Sequence, residues 1–240
     1  KGVDFTPVDP YLTEDAVRGG TGYRDIPLDK ELPEEVDHMF PDYSIYPECD
    51  FAIGYLTRGC IRNCRWCIVP KKEGLIHSYR TWEEVVRPDS DKIVLMDNNI
   101  LSCNHGILQL EKLSETKYKI DINQGLDARL VTKDIAKILS RLHWVRFIRF
   151  SCDAKEQLDS VETAINYLRE QGIKPYRIFI YLLITEDLID AETRVMRLKQ
   201  YQGINLYAQA ERNPRLGIMP GKMQLEYQQR YMYSGRYRKE

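Results

Sequence analysis

The chain has 240 residues, 43% hydrophobic and 30% charged, with 35 Lys and Arg against 36 Asp and Glu and a formal net charge of -1. That is enough apolar material for a substantial core, and the even balance excludes a generally basic coat for nucleic acid while leaving room for a local basic groove. No apolar run is long enough to span a bilayer and no apolar segment follows Lys1 as in a signal peptide, so no membrane partner is expected.

Residues 1–50 are irregular, rich in acidic residues and proline. They read as an N-terminal extension with one helical turn near "ELPEEVDHMF". The stretch "VRGGTGY" (Val17–Tyr23) suits either an anion-binding nest or plain turns. The sequence starts without Met, in mid-pattern, and reads as a piece of a longer chain. From Phe51 the pattern turns regular. Strands are expected at "FAIGYLT" (51–57), "KIVLMD" (92–97), "YKIDIN" (118–123), "WVRFIRFS" (144–151), "YRIFIYLLI" (176–184) and "INLYAQA" (204–210). The fifth is nearly all apolar and is expected to be buried on both faces. Helical spacing separates them. "HGILQLEKLSE" sets Ile107, Leu110 and Leu113 on one face. "TKDIAKILSRL" opens on Thr132 as N-cap. "KEQLDSVETAINYLREQG" stops at Gly172, and "DAETRVMRLKQYQG" ends on Gly203. Strand–helix alternation implies parallel strands with right-handed crossovers. The expected fold is α/β, a partial (βα)6 barrel of parallel strands over residues 51–212, with a doubly wound sheet as the alternative. Residues 213–240 form a C-terminal extension. Its tail "EYQQRYMYSGRYRKE" (Glu226–Glu240) suits a further helix on the barrel, or Tyr and Arg stacking on nucleic acid.

In parallel α/β folds the chemistry gathers at the C-terminal strand ends. Here those ends carry Asp97, Asn98 and Asn99, then Asn123 to Arg129, then Ser151 to Asp153, then Gln209 to Asn213. The first strand runs into "GYLTRGCIRNCRWCIVP", which holds Cys60, Cys64 and Cys67. The six cysteines of the chain are too sparse for a secreted disulfide scaffold, so a reducing, cytoplasmic compartment is expected. Structural zinc needs a fourth ligand, and none of the four histidines pairs with another ligand, although His77 or Cys103 would serve in principle. A thioredoxin-like redox centre fits neither the third cysteine nor the strand context. Three thiolates on an iron–sulfur cluster leave one iron open, and an open metal position suits catalysis rather than structure.

The pattern Cys60-x-x-x-Cys64-x-Trp66-Cys67 resembles the signature of the radical S-adenosylmethionine enzymes, and the resemblance spans about Phe51 to Gln209. "GYLTRGC" and Pro70 resemble the subset that includes cobalamin-dependent members and methylthiotransferases. In many of these a Rossmann-like domain precedes the barrel, and residues 1–50 would be its tail. The resemblance implies a [4Fe–4S] cluster on Cys60, Cys64 and Cys67, with S-adenosylmethionine on the open iron and Trp66 near the adenine or as a plug over the cluster. The family's "GGE"-like stretch, which contacts the methionine amino group, is replaced by "DNN", with Asp97 the first candidate and Asn98 and Asn99 beside it. Arg129 would pair with the methionine carboxylate or be a surface arginine. Ser151 and Asp153 fall where ribose contacts occur, and Asn123, Gln124 and Gln209 are further candidate contacts. A flavodoxin- or ferredoxin-like electron donor and an oxygen-sensitive enzyme are implied, with cobalamin on the "GYLTRGC" resemblance alone. The substrate is unidentified. Competing readings are a zinc-stabilised α/β binding module, nucleic-acid-directed through the tail, and a degenerate barrel that keeps the cluster without cleaving the cosubstrate. Cys103 and Cys152 stand near strand ends and suit either a cavity thiol or an inert buried one.

Overall fold

A computed structural model describes residues 32–213 and 217–231 of the chain. The Val17–Tyr23 glycines and the tail beyond Tyr231 lie outside the described residues. Nine strands run in chain order: β1 (Ala52–Gly54), β2 (Thr57–Arg58), β3 (His77–Ser78), β4 (Lys92–Leu95), β5 (Lys119–Ile122), β6 (His143–Trp144), β7 (Ile148–Ser151), β8 (Ile178–Ile184) and β9 (Asn205–Ala210). One parallel sheet has the order β1-β4-β5-β6 and a second has the order β7-β8-β9. A parallel bridge between Leu126 and Phe150 joins them, with the Leu126 N–H donating to the Arg149 carbonyl at 2.7 Å. The fold is α/β with parallel strands in sequence order. Strands β2 and β3 form a separate antiparallel hairpin.

Among the described residues the α-helices are α1 (Glu34–Asp37), α2 (Val69–Lys72), α3 (Asn104–Leu113), α4 (Lys133–Arg141), α5 (Leu158–Glu170), α6 (Leu188–Lys199) and α7 (Lys222–Tyr231). Helix α1 is the turn expected in "ELPEEVDHMF". Thr132 caps α4, its hydroxyl oxygen accepting from the Ile135 N–H at 3.2 Å. Asp187 caps α6 on the Asp190 N–H at 2.9 Å, three residues before the expected start of that helix. Gly172 and Gly203 have φ of +84° and +88°, the left-handed stop that side chains resist. Helix α7 is the further helix expected in the tail. It is fastened to the strand ends by Gln224, whose amide donates to the Ile184 carbonyl at 3.1 Å, and by Gln228, which accepts from the Ala210 N–H at 2.6 Å.

Three expectations are corrected. The fourth strand is broken. Its start, β6, pairs with β5, and its end, β7, pairs with β8. Between Ile122 and the Leu126 bridge, β5 turns through Gly125 at φ +87°, and the ladder lapses across that turn. The fifth strand is not buried on both faces. Ile178, Ile180, Leu182 and Ile184 are buried in the core, whereas Phe179, Tyr181 and Leu183 are half-buried on the opposite face. The first crossover also departs from strand–helix alternation: β2, α2 and β3 take the place of a long helix.

Arg194 on α6 is fully buried. Its guanidinium donates to Asp190 at 2.7 Å and to the carbonyls of Cys152 and Leu183 at 2.7 and 2.8 Å. It therefore ties the C-terminal ends of β7 and β8 to one helix. Replacing it strands a carboxylate and two carbonyls. Arg194→Leu is expected to lower unfolding free energy by about 3 kcal/mol. A urea titration checks this, and an unchanged midpoint would show that the clip contributes nothing.

Candidate functional site

The cysteine loop is the connection of the β2–β3 hairpin, and β2 is placed by one buried carboxylate. Asp97, just past β4, is fully buried. It accepts from the N–H of Leu56 at 3.1 Å, from the N–H of Thr57 at 2.5 Å and from the Thr57 hydroxyl at 2.7 Å. Burial pushes its carboxyl up to about 6, and the bonds from Thr57 and Leu56 act against that rise. Asp97 therefore serves the frame beneath the loop. Its neighbours face the loop itself. The Asn98 amide donates to Glu73 at 2.9 Å. Asn99, 3% exposed, donates through Nδ2 to the Cys60 sulfur at 3.3 Å, and its Oδ1 is buried without a partner.

The loop leaves β2 through Gly59, at φ +82°. A Cβ there would sit 2.3 Å from the Leu75 carbonyl oxygen, a backbone atom that cannot swing aside. Glu73 closes the loop, accepting from the Gly59 N–H at 3.0 Å and pairing with Arg58 at 3.3 Å. Two more arginines, interleaved with the cysteines, reach other strand ends. Arg62 bonds Asp127 beyond β5 at 2.9 Å, and Arg65 bonds Glu211 beyond β9 at 3.3 Å. Burial works against ionisation of Asp127, but the bonds from Arg129 and Arg62 outweigh it and hold the carboxyl below the usual range.

All six cysteines are free thiols. Burial pushes the Cys64 and Cys67 thiols up. Cys64 also feels Arg129, Asp153 and Cys60, and Cys67 feels Cys64, Cys60 and Asp153, so the three thiols share one electrostatic neighbourhood. Cys60 accepts a second bond, from the Arg62 N–H at 3.3 Å. Among the described residues no group of three His, Cys, Asp or Glu side chains is drawn together to hold a single metal ion. The chain matches no family model and no curated protein sequence.

The remaining expected residues are placed unequally. Trp66 is half-buried, with the Arg65 guanidinium 5.6 Å from its ring centre. Asp153 accepts from the Leu183 N–H at 3.3 Å, and burial pushes its carboxyl up to about 6. Ser151 is half-buried and in register with Tyr181. Arg129 spends its fork on Asp127, at 2.6 and 3.0 Å. Asn123 and Gln124 are exposed and lean on the Met96 sulfur at 3.8 and 3.9 Å. Gln209 is exposed, in register with Leu183. Cys152 is fully buried with its thiol pushed up to about 12 by burial, the environment of an inert thiol. Cys103 is half-buried just ahead of α3. Sequence reasoning missed Glu73, Asp127 and Glu211 as the anchors of the loop. The signal was the arginine spacing in "TRGCIRNCRWC": three cations among three cysteines need anions to receive them.

Two outcomes test this frame. The Asp97 carboxyl rises from 3.8 to about 6 on folding. The folded chain then binds the proton more tightly than the unfolded one, so this group makes stability fall as pH rises from about 4 to about 6. The stability of the native chain relative to Asp97→Asn is expected to decline across that window and to be flat on either side, as measured by urea titrations. A constant difference would show that Asp97 ionises freely. Gly59→Ala is expected to displace the loop and to expose Cys60 to a thiol reagent several-fold faster. An unchanged labelling rate would show that the backbone there tolerates a Cβ.

Proposed function

We propose that the chain is a radical S-adenosylmethionine enzyme, built as a partial (βα)6 barrel with its cluster loop at the C-terminal mouth. The strand order supports the barrel reading: β1, β4, β5, β7, β8 and β9 follow one another in sequence, and the Leu126–Phe150 bridge carries the series across the break. The observation that carries the functional reading is the surroundings of Cys60. A free thiol of the cysteine triplet receives an N–H from buried Asn99, and the same amide holds an unpaired oxygen. A buried acceptor left without a partner is costly, roughly 1–3 kcal/mol, and marks a place where a donor is missing. The amino group of S-adenosylmethionine is such a donor.

The donor set fits a [4Fe–4S] cluster better than a single ion. A zinc ion bound at ~2.3 Å to each thiolate draws its ligands to one point. A cube of four irons is wider, so its three thiolates need only ring a common hollow. Cys60, Cys64 and Cys67 would hold it. When bound, the cluster would supply one-electron chemistry drawn from a flavodoxin- or ferredoxin-like donor: reductive cleavage of S-adenosylmethionine, used to take a hydrogen atom from the substrate. The chain's own residues orient and shield. Asn99 presents its oxygen to the amino group. Trp66, half-buried and next to Cys67 in the chain, would lie near the adenine or plug the cluster. Asp153 would accept from a ribose hydroxyl. Arg129, being bound to Asp127, reaches a carboxylate only by sharing its guanidinium.

The test is anaerobic reconstitution with iron and sulfide, reduction, and addition of S-adenosylmethionine. 5′-Deoxyadenosine is expected from the native chain and is expected to be lost in Cys64→Ala. A full, spectroscopically intact cluster that yields none would overturn the reading.

A further inference from the structure

We infer that Asn99 sets the reduction potential of the cluster through a hydrogen bond to the Cys60 sulfur. The inference rests on the proposed function and concerns a residue role that the cysteine signature does not specify. Asn99 Nδ2 lies 3.3 Å from the Cys60 sulfur, and the side chain is buried, with 3% of its surface exposed. The backbone holds it there. The Asn99 carbonyl accepts from the Ser102 N–H at 3.0 Å and from the Ser102 hydroxyl at 2.7 Å. Asp97, two residues earlier, is fixed by its bonds to Leu56 and Thr57.

The orientation of the amide follows from the chemistry of the sulfur. A metal-bound thiolate has no proton to give, so it accepts only. The amide must turn its N–H₂ toward Cys60 and its oxygen away, which is the arrangement that leaves Oδ1 unpaired. The environment of the three sulfurs is uneven. Cys60 accepts from both Asn99 and the Arg62 N–H. The backbone N–H of Val69 donates to the Cys67 sulfur, whereas at Cys60 one of the two donors is a side chain. Donors to a cluster thiolate stabilise the more negative, reduced state and so raise the potential. Burial in a site of low dielectric strengthens the effect. The couple concerned is the one-electron step in which the cluster accepts an electron from the external donor.

Removing the donor therefore makes the cluster harder to reduce. Asn99→Leu keeps similar bulk and loses the N–H. Its equilibrium constant for reduction is expected to fall about tenfold, a shift of ~59 mV to lower potential for one electron. The measurement is a redox titration of the reconstituted protein followed by the spectrum of the reduced cluster, with iron and sulfide content measured alongside. An unchanged midpoint on a fully loaded variant would overturn the inference and leave the proposed function intact. Failure of the native chain to assemble a cluster would instead overturn the proposed function. A second measurement needs no variant. Native protein grown with ¹⁵N-asparagine and reduced is expected to show a ¹⁵N coupling in pulsed paramagnetic resonance. A loaded, reduced sample with no such coupling would place the amide away from the cluster, and the inference would fail even where Asn99→Leu does not fold.

Discussion

The cysteine loop depends on a single buried carboxylate. Asp97 comes from the end of β4, yet its partners are the two residues that turn the chain from β1 into β2. A parallel strand pair leaves its ends to whatever follows, and here three donors on one carboxylate fix the departure angle. Burial opposes the charge while the bonds favour it, and burial prevails. The group is therefore held at a cost, which is typical where geometry matters more than stability. Because Asn98 and Asn99 continue directly from Asp97, the same anchor that aims β2 also sets the two amides against the loop it carries.

Beyond that anchor the loop is held by three ion pairs, and their exposure decides how they act. The side chains of Arg58, Arg62 and Arg65 are 23%, 31% and 65% exposed, while those of Glu73, Asp127 and Glu211 are nearly enclosed. An ion pair so open to water adds little stability. A buried carboxylate still needs a donor, however, so each acid claims the arginine within reach and fixes its position. The loop is thus tied at its own base, to the end of β5 and to the end of β9, three points around one rim. Small energies are enough, because the points are spread and the segment between them is short.

Much of the frame was legible in the sequence because its signals are local. Thr132, Gly172 and Gly203 mark helix ends by their own backbone chemistry, whereas the half-buried face of β8 was hidden because "YRIFIYLLI" is apolar at almost every position. The break between β6 and β7 was not legible. "WVRFIRFS" has unbroken strand character, and the interruption is imposed by Gly125 on the neighbouring strand, which no window on residues 144–151 contains. At the site, sequence spacing set the cysteines and Asn99 at strand ends, and the structure brings the Asn99 amide against the Cys60 sulfur. The work of Asp97 could not be read from the sequence. An aspartate ending a strand looks the same in sequence whether it faces a ligand or turns back to hold the preceding connection. Glu73 stands outside any motif, and Glu211 lies in a strand-end stretch where nothing local sets it apart; only the interleaved arginines point toward them.

The face of the second sheet opposite its helices carries a cluster of aromatic rings. Phe179, Tyr181 and Tyr207 contact one another edge-on or tilted, with ring centres 5.1 to 6.1 Å apart. Such contacts stiffen a surface without closing it, since each ring keeps a face free. Arg149, from β7, lies beside Phe179 and is paired with Asp121 of β5, across the bridge that joins the two sheets. Its charge is thereby answered within the wall, and burial draws its proton affinity down. The result is a wall of aromatic rings with one neutralised ion pair, set below the strand ends that carry Ser151, Asp153 and Gln209. An apolar wall of this kind excludes water more readily than it binds charge. For the radical chemistry proposed above, such a wall would keep solvent from the reacting carbon.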